Sequence, residues 1–288
     1  MNEVHPVQLV ECPRDAMQGL PQFIPTATKT DYINRLLRVG FHTLDFGSFV
    51  SPKHVPQLAD TAEVLAGLDR SGSATLLLAI VANERGLQTA LSHPEIDCIG
   101  YPLSISETFQ QRNTNRAIAD SLPLVQEAVA ACRDLGRSLV VYLSMGFGNP
   151  YGDPWSLELL AHWAHRLADL GVGTLALADT VGTAQPADVE AAFRHLVAEL
   201  PQVTFGAHLH AHPAAWRPKV EAAWRGGCRR FDGALRGFGG CPFAEDELVG
   251  NVATEQLVAF LDEQQAVPLT INRSELAEAL HTSGLVFA

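Results

Sequence analysis

The chain has 288 residues, 47% hydrophobic and 18% charged, so a large core is available and global disorder is excluded. Its formal net charge of −12 and the lack of any basic run exclude a non-specific nucleic-acid binder. No apolar run approaches the ~20 residues that a membrane-spanning helix needs.

Short aliphatic runs alternate with longer helical patterns. Val7–Cys12 reads as a strand and Lys29–Val39 as a helix. Thr43–Phe46 is a second strand, followed by a helix over Val55–Leu68. The almost wholly apolar Thr75–Val81 suits a strand covered on both faces. A helix near Arg85–Ser92 leads to a short strand at Ile96–Tyr101. Ala117–Leu135 is helix, Ser138–Ser144 strand, Ser156–Leu170 helix and Thr174–Ala178 strand. Pro186 opens a helix to Leu200, where a first turn tolerates proline. Val203–Ala207 carries the next strand, a helix runs to about Arg225, and Arg229–Ala234 is the last strand. Asn251–Glu263 reads as the final helix.

Eight strands, each followed by a helix with no linker between, predict an α/β chain: one (β/α)8 TIM-barrel domain over residues 1–288. A doubly wound open sheet is the alternative, but no GxGxxG follows the first strand. Cys12, Cys98, Cys132, Cys228 and Cys241 are scattered and never form a CxxC pair, which fits a reduced chain without a disulfide framework. Met1–Pro6 has no secretory or organellar pattern. The expectation is a cytoplasmic protein.

In such a barrel the site lies at the C-terminal ends of the strands. His208 and His210, one residue apart on a strand, share a face and could start a metal site completed by oxygen ligands; one could equally be a hydrogen-bonded core histidine. At the same end of the barrel come Pro13-Arg14-Asp15, Asp45, Ser106-Glu107, Asn113, Ser144, Asp179-Thr180 and the loop Gly237–Pro242.

Five motifs in order (Pro13-Arg14-Asp15, Ser48–Lys53, His208-x-His210, Gly239-Gly240-Cys241-Pro242 and Gly250-Asn251-x-Ala253-Thr254-Glu255) resemble 3-hydroxy-3-methylglutaryl-CoA lyase. That family is part of a metal-dependent barrel superfamily of lyases, aldolases and condensing enzymes. The resemblance implies Mg2+ or Mn2+ held by Asp15, His208, His210 and Asn251. A carboxylate, two imidazoles and an amide oxygen leave two octahedral positions for a chelating substrate. It also implies retro-Claisen cleavage of an acyl-CoA substrate to an acyl-CoA and a keto acid. Arg14 would stabilise the enolate, the Cys241 thiol would donate a proton, and Asp45 would stand where the family has a glutamate. Gln18, Ser48, Asn113, Ser144 and Thr180 match substrate-contacting positions; Glu11, Asp179 and Glu255 also match. A homodimer is expected by resemblance.

The chain departs from the family after His210, where Ala211-His212-Pro213 replaces an expected Asp-Thr. An aspartate that would orient a ligating histidine is lost, with His212 as a candidate substitute. Met145, Phe147 and Trp216 bring bulk near the mouth. These changes fit a shifted substrate: an aldolase or condensing enzyme of the superfamily is one alternative, a catalytically weakened metabolite-binding protein another.

Overall fold

Apolar residues at alternate positions build a closed ring of eight parallel strands: β1 (Gln8–Glu11), β2 (Thr43–Ser48), β3 (Leu76–Ile80), β4 (Cys98–Ser104), β5 (Ser138–Ser144), β6 (Thr174–Asp179), β7 (Thr204–Ala211) and β8 (Arg230–Gly233). Each pairs in parallel with its neighbours in chain order. β1 closes the ring on β8, with Val10 opposite Asp232. The chain is therefore a (β/α)8 barrel. The computed structural model describes residues 6–240, 249–268 and 270–287, and among them no helix is long and apolar enough to cross a membrane.

The period-two alternation of each strand separates two cores. Outward-facing Leu9, Leu44, Phe46, Leu77, Ala79, Val141, Leu143, Leu175 and Leu177 are buried under the surrounding helices. Inward-facing Leu78, Ile80, Cys98, Val140, Tyr142 and Ala176 fill one side of the barrel interior. Layers of inward side chains of this kind make the interior a packed core rather than a pore.

Several boundaries differ from the sequence reading. The segment Val55–Leu68 divides into a short turn at Pro56–Leu58 and a helix at Thr61–Ala66. The fourth strand lies later than expected, at Cys98–Ser104. Two short helices, Pro13–Gln18 and Glu107–Thr114, occupy apparent loops. The second is started by Ser106, whose hydroxyl accepts from the Phe109 amide, a cap too local to show as periodicity. The expected last helix begins at Thr254, not Asn251, and a further helix, Arg273–Val286, follows it. Asn251 instead forms a two-residue strand, β9 (Gly250–Asn251), antiparallel to β7 with His210 opposite Asn251.

Candidate active site

Backbone register brings the site together. Inward alternation along β7 aims both His208 and His210 at the barrel axis, and β9 lays Asn251 directly beside His210. The helix Pro13–Gln18 starts immediately after β1 with proline in its first turn, where a missing N–H costs nothing. It swings Arg14, Asp15 and Gln18 over the same mouth. Gly239 closes the arrangement: at its φ of +96°, a Cβ would lie 2.7 Å from Asn251 Nδ2 and 2.7 Å from the Asp15 carbonyl oxygen. Only glycine admits that approach.

Arg14 is the hub of a buried network. Its Nε donates to Asp45 Oδ2 at 3.0 Å and its Nη2 to the same oxygen at 2.5 Å. Its Nη1 donates to Asp15 Oδ1 and to Gln18 Oε1, both at 2.9 Å, and Gln18 Nε2 donates back to Asp15 Oδ1 at 2.8 Å. Burial works to raise the Asp15 carboxyl, but the Arg14 guanidinium and the neighbouring imidazoles hold it well below the usual carboxylate range. Asp15 is an anion here.

Each imidazole is fixed by its Nδ1. That of His210 lies 3.1 Å from the Thr180 carbonyl oxygen, an acceptor only, so Nδ1 carries the proton and Nε2 the lone pair. That of His208 lies 3.3 Å from Asp232 Oδ2. Asp232 is in turn held by Arg230, whose Nη1 donates to Oδ1 at 2.7 Å. Burial works to lower the His208 pKa, but the Asp232 hydrogen bond and the Asp232 and Asp15 charges outweigh it and raise it. A carboxylate that grips one imidazole nitrogen and leaves the other free is a recurrent way to orient a metal-ligating histidine.

The ligand atoms of Asp15, His208 and His210 lie within 4.8 Å of one another. Two buried polar atoms beside them have no hydrogen-bond partner: His210 Nε2 and Asn251 Oδ1. His210 Nε2 stands 3.7 Å from Asp15 Oδ2, beyond hydrogen-bond reach. The Asn251 amide nitrogen donates to Asp15 Oδ2 at 2.6 Å and to the Phe238 carbonyl at 3.0 Å, which leaves its oxygen as the orphan. A buried polar group without a partner costs roughly 1–3 kcal/mol, and a cation would satisfy both. The donor set of carboxylate, two imidazoles and amide oxygen fits Mg2+ or Mn2+.

Beside this cluster a cavity of about 290 Å³ opens to the mouth. Arg14, Asp15, His208 and His210 line it, and so do all five residues expected to contact substrate: Gln18, Ser48, Asn113, Ser144 and Thr180. Its apolar lining includes Val50, Ile80, Pro102, Phe109 and Tyr142. Asp45 sits behind Arg14 and not on the cavity. Cys241 lies outside the described residues. Glu11 and Glu255 brace the β8–β9 connection, accepting from the Leu235 and Arg236 amides. Asp179 accepts from the buried Lys219 ammonium at 2.6 Å.

Two expectations change, and one residue is added. His212 is exposed, and its Nδ1 accepts from the Ala214 amide, so it is a turn residue and no substitute for the missing aspartate. Met145 and Phe147 are buried and Trp216 packs against the outer core, and none of the three lines the cavity. Asp232 escaped the sequence reading, although Arg230-x-Asp232 repeats the alternate inward spacing of His208-x-His210 one strand away.

Comparisons with known proteins show what the whole chain is similar to. The HMGL-like family model matches residues 7–282. The (R)-citramalyl-CoA lyase of Chloroflexus aurantiacus is 34% identical over 276 residues, 93% of this chain and 86% of its own length. The hydroxymethylglutaryl-CoA lyase of Bacillus subtilis is 33% identical over 267 residues, 93% and 88% of the two chains. An HMG-CoA lyase structure from Acinetobacter baumannii, in complex with coenzyme A and 3-methylmalate, superposes with a TM-score of 0.89 at 30% identity. It covers 98% of this chain and 91% of that one.

Proposed function

This chain belongs to the HMGL-like family as a lyase of CoA thioesters, and we propose that it cleaves 3-hydroxy-3-methylglutaryl-CoA, or a close homologue, to acetyl-CoA and acetoacetate. Asp15, His208, His210 and Asn251 hold Mg2+ or Mn2+ in this reading. The observation that carries it is the pair of buried, partnerless lone pairs on His210 and Asn251 beside the Asp15 anion. Bound there, the cation supplies Lewis acidity that lowers the pKa of the substrate's tertiary hydroxyl.

The chain's own groups divide the remaining work. Arg14 has five N–H donors, and the Asp45, Asp15 and Gln18 contacts occupy four of them. One Nη2 hydrogen is left to donate to the enolate oxygen as charge develops. Asp45 fixes the plane of that guanidinium, and its short side chain suffices because Arg14 comes to it. His208 serves as a ligand: with one nitrogen given to Asp232, no second lone pair remains to take a proton. Cys241, directly after Gly240, donates its thiol proton to the enolate carbon, and the thiolate is restored by the proton that the tertiary hydroxyl releases to solvent. Gln18, Ser48, Asn113, Ser144 and Thr180 orient the thioester, while Ile80, Phe109 and Tyr142 exclude water from its carbon branch. The four buried thiols Cys12, Cys98, Cys132 and Cys228 support a reducing, cytoplasmic setting.

A second reading is cleavage of citramalyl-CoA to acetyl-CoA and pyruvate, by the same bond-breaking one methylene closer to the carboxylate. The 34% identity to a citramalyl-CoA lyase favours it. EDTA-stripped protein mixed with each thioester, with and without Mg2+ or Mn2+, separates the two when acetyl-CoA, acetoacetate and pyruvate are followed by mass spectrometry. Metal-restored acetoacetate release is the expected result, and pyruvate release selects the second reading. Metal binding without turnover of either thioester would refute both.

A further inference from the structure

The proposed active-site cluster uses His208, and a second set of metal-ligating atoms shares the same ring, with Asp232 Oδ2 3.3 Å from its Nδ1. The ligand atoms of Cys12, His208 and Asp232 also lie within 4.8 Å of one another, all buried. They come from three neighbouring strands: Cys12 directly follows β1, His208 is on β7, and Asp232 on β8 pairs with both Val10 and His208. We propose that Cys12, His208 and Asp232 form a second cation site, selective for a thiophilic divalent ion such as Zn2+, that competes with the active-site cation for His208. The competition rests on the assignment of Asp15, His208 and His210 as the active-site ligands; the site itself does not.

The donor chemistry separates the two sets. Thiolate, imidazole and carboxylate suit Zn2+, whereas the all-oxygen-and-imidazole set with Asp15 suits Mg2+ or Mn2+. Zinc–ligand bonds of about 2.0–2.3 Å put tetrahedral donors roughly 3.5 Å apart. Donors already within 4.8 Å therefore need to close by only about 1 Å, and water completes the fourth position. Arg230 Nη1 occupies Asp232 Oδ1 at 2.7 Å, so the carboxylate is held in place while Oδ2 faces the ring. Burial, together with the Asp232, Asp45 and Asp15 charges, pushes the Cys12 thiol well above its ordinary range, so the bound cation itself must displace the thiol proton. The cavity reaches His208, and Cys12 and Asp232 are buried outside its lining.

Exclusion follows from the imidazole's proton. For His208 to ligate the active-site cation through its outer nitrogen, Nδ1 must keep the proton that it gives to Asp232. Zn2+ binding at Nδ1 takes that position and releases the thiol proton to solvent. If the ring then remains neutral its proton moves to Nε2, and the lone pair needed at the active site is gone. One histidine thus serves either site and not both.

EDTA-stripped wild type, Cys12→Ser, Cys12→Ala and Cys241→Ser proteins are titrated with Co2+, a spectroscopic stand-in for Zn2+. Separately, each is loaded with Mn2+ and titrated with Zn2+ while released Mn2+ is counted by electron paramagnetic resonance. Thermal melts check that each variant is folded, and Cys12→Ala keeps the test available if the serine variant is not. The expected result is a thiolate-to-Co2+ charge-transfer band in wild type and Cys241→Ser that is missing from both Cys12 variants. Displacing Mn2+ should also take roughly tenfold or more Zn2+ in the Cys12 variants, the scale of losing one stabilising ligand contact. A band that persists in the Cys12 variants, or displacement unchanged from wild type, would overturn the proposal. If Mn2+ fails to bind wild type, the active-site assignment falls, and the Co2+ band alone then decides the Cys12 site.

Discussion

The two halves of the barrel interior are built from opposite chemistries. On the side of β1, β2, β7 and β8 the strands and the helix after β1 carry Arg14, Asp15, Asp45, His208, His210, Arg230 and Asp232, all less than a tenth exposed. On the side of β3 to β6 the inward positions carry Leu78, Ile80, Cys98, Val140, Tyr142 and Ala176. Both are packed, yet only the second is held by burial of apolar area. The first contains charges that would each be costly to bury alone, and it survives because nearly every one has an opposite charge at hydrogen-bond distance. Fold stability and site chemistry are thus assigned to different sectors of one ring, and substitutions in the two should fail in different ways.

The largest effect is expected from Asp15→Ala. It removes the carboxylate around which Arg14, His210 and Asn251 are arranged, so metal-restored turnover should fall by more than about a hundredfold while circular dichroism stays native. Turnover near wild type would show that the charged sector does not hold the cation. Asp232→Asn keeps size and packing but weakens the grip on His208. Metal affinity measured by calorimetry should drop roughly 10–100-fold, and an unchanged affinity would reduce Asp232 to a packing residue. Ile80→Ala, across the ring, should lower unfolding free energy by about 2–4 kcal/mol and leave metal affinity alone; a matching loss of metal binding would erase the contrast between sectors.

A pH dependence of stability is expected at Glu11. Burial pushes its carboxyl up to about 8, against the hydrogen bonds from Thr254 and the Leu235 amide. A carboxyl whose pKa is higher folded than unfolded contributes stability that is full below its unfolded value of 4.5 and is lost as pH rises through the folded value. Chemical denaturation should therefore show wild type weakening between about pH 4.5 and 8, at up to about 1.4 kcal/mol per unit of pKa difference. Glu11→Gln should flatten that slope, and an identical slope in the variant would place its origin elsewhere.

How much of this was legible in the sequence depends on whether a feature is periodic or paired. Alternating strands and amphipathic helices announce themselves, so the barrel and the shared face of His208 and His210 could be read directly. The motifs around Arg14, Asp15 and Asn251 pointed to the ligand set proposed above. What could not be read was pairing across distant segments. Asn251 looks like the start of a helix until β9 lies against β7, and Asp232 looks like one of many strand-end acids until the β7–β8 register sets it beside His208. The missing aspartate after His210 seemed a loss for the same reason. The structure shows His210 oriented by the Thr180 carbonyl, a backbone group that no side-chain motif records.

The central claim is that the charged sector is a divalent-cation site built on His208 and His210. Its most direct test is the stoichiometry of Mn2+ bound by EDTA-stripped protein, followed by electron paramagnetic resonance, in wild type and in the His208→Ala/His210→Ala double variant. One Mn2+ per chain is expected in wild type and none in the double variant at the same free Mn2+. Equal binding by the two proteins would contradict it.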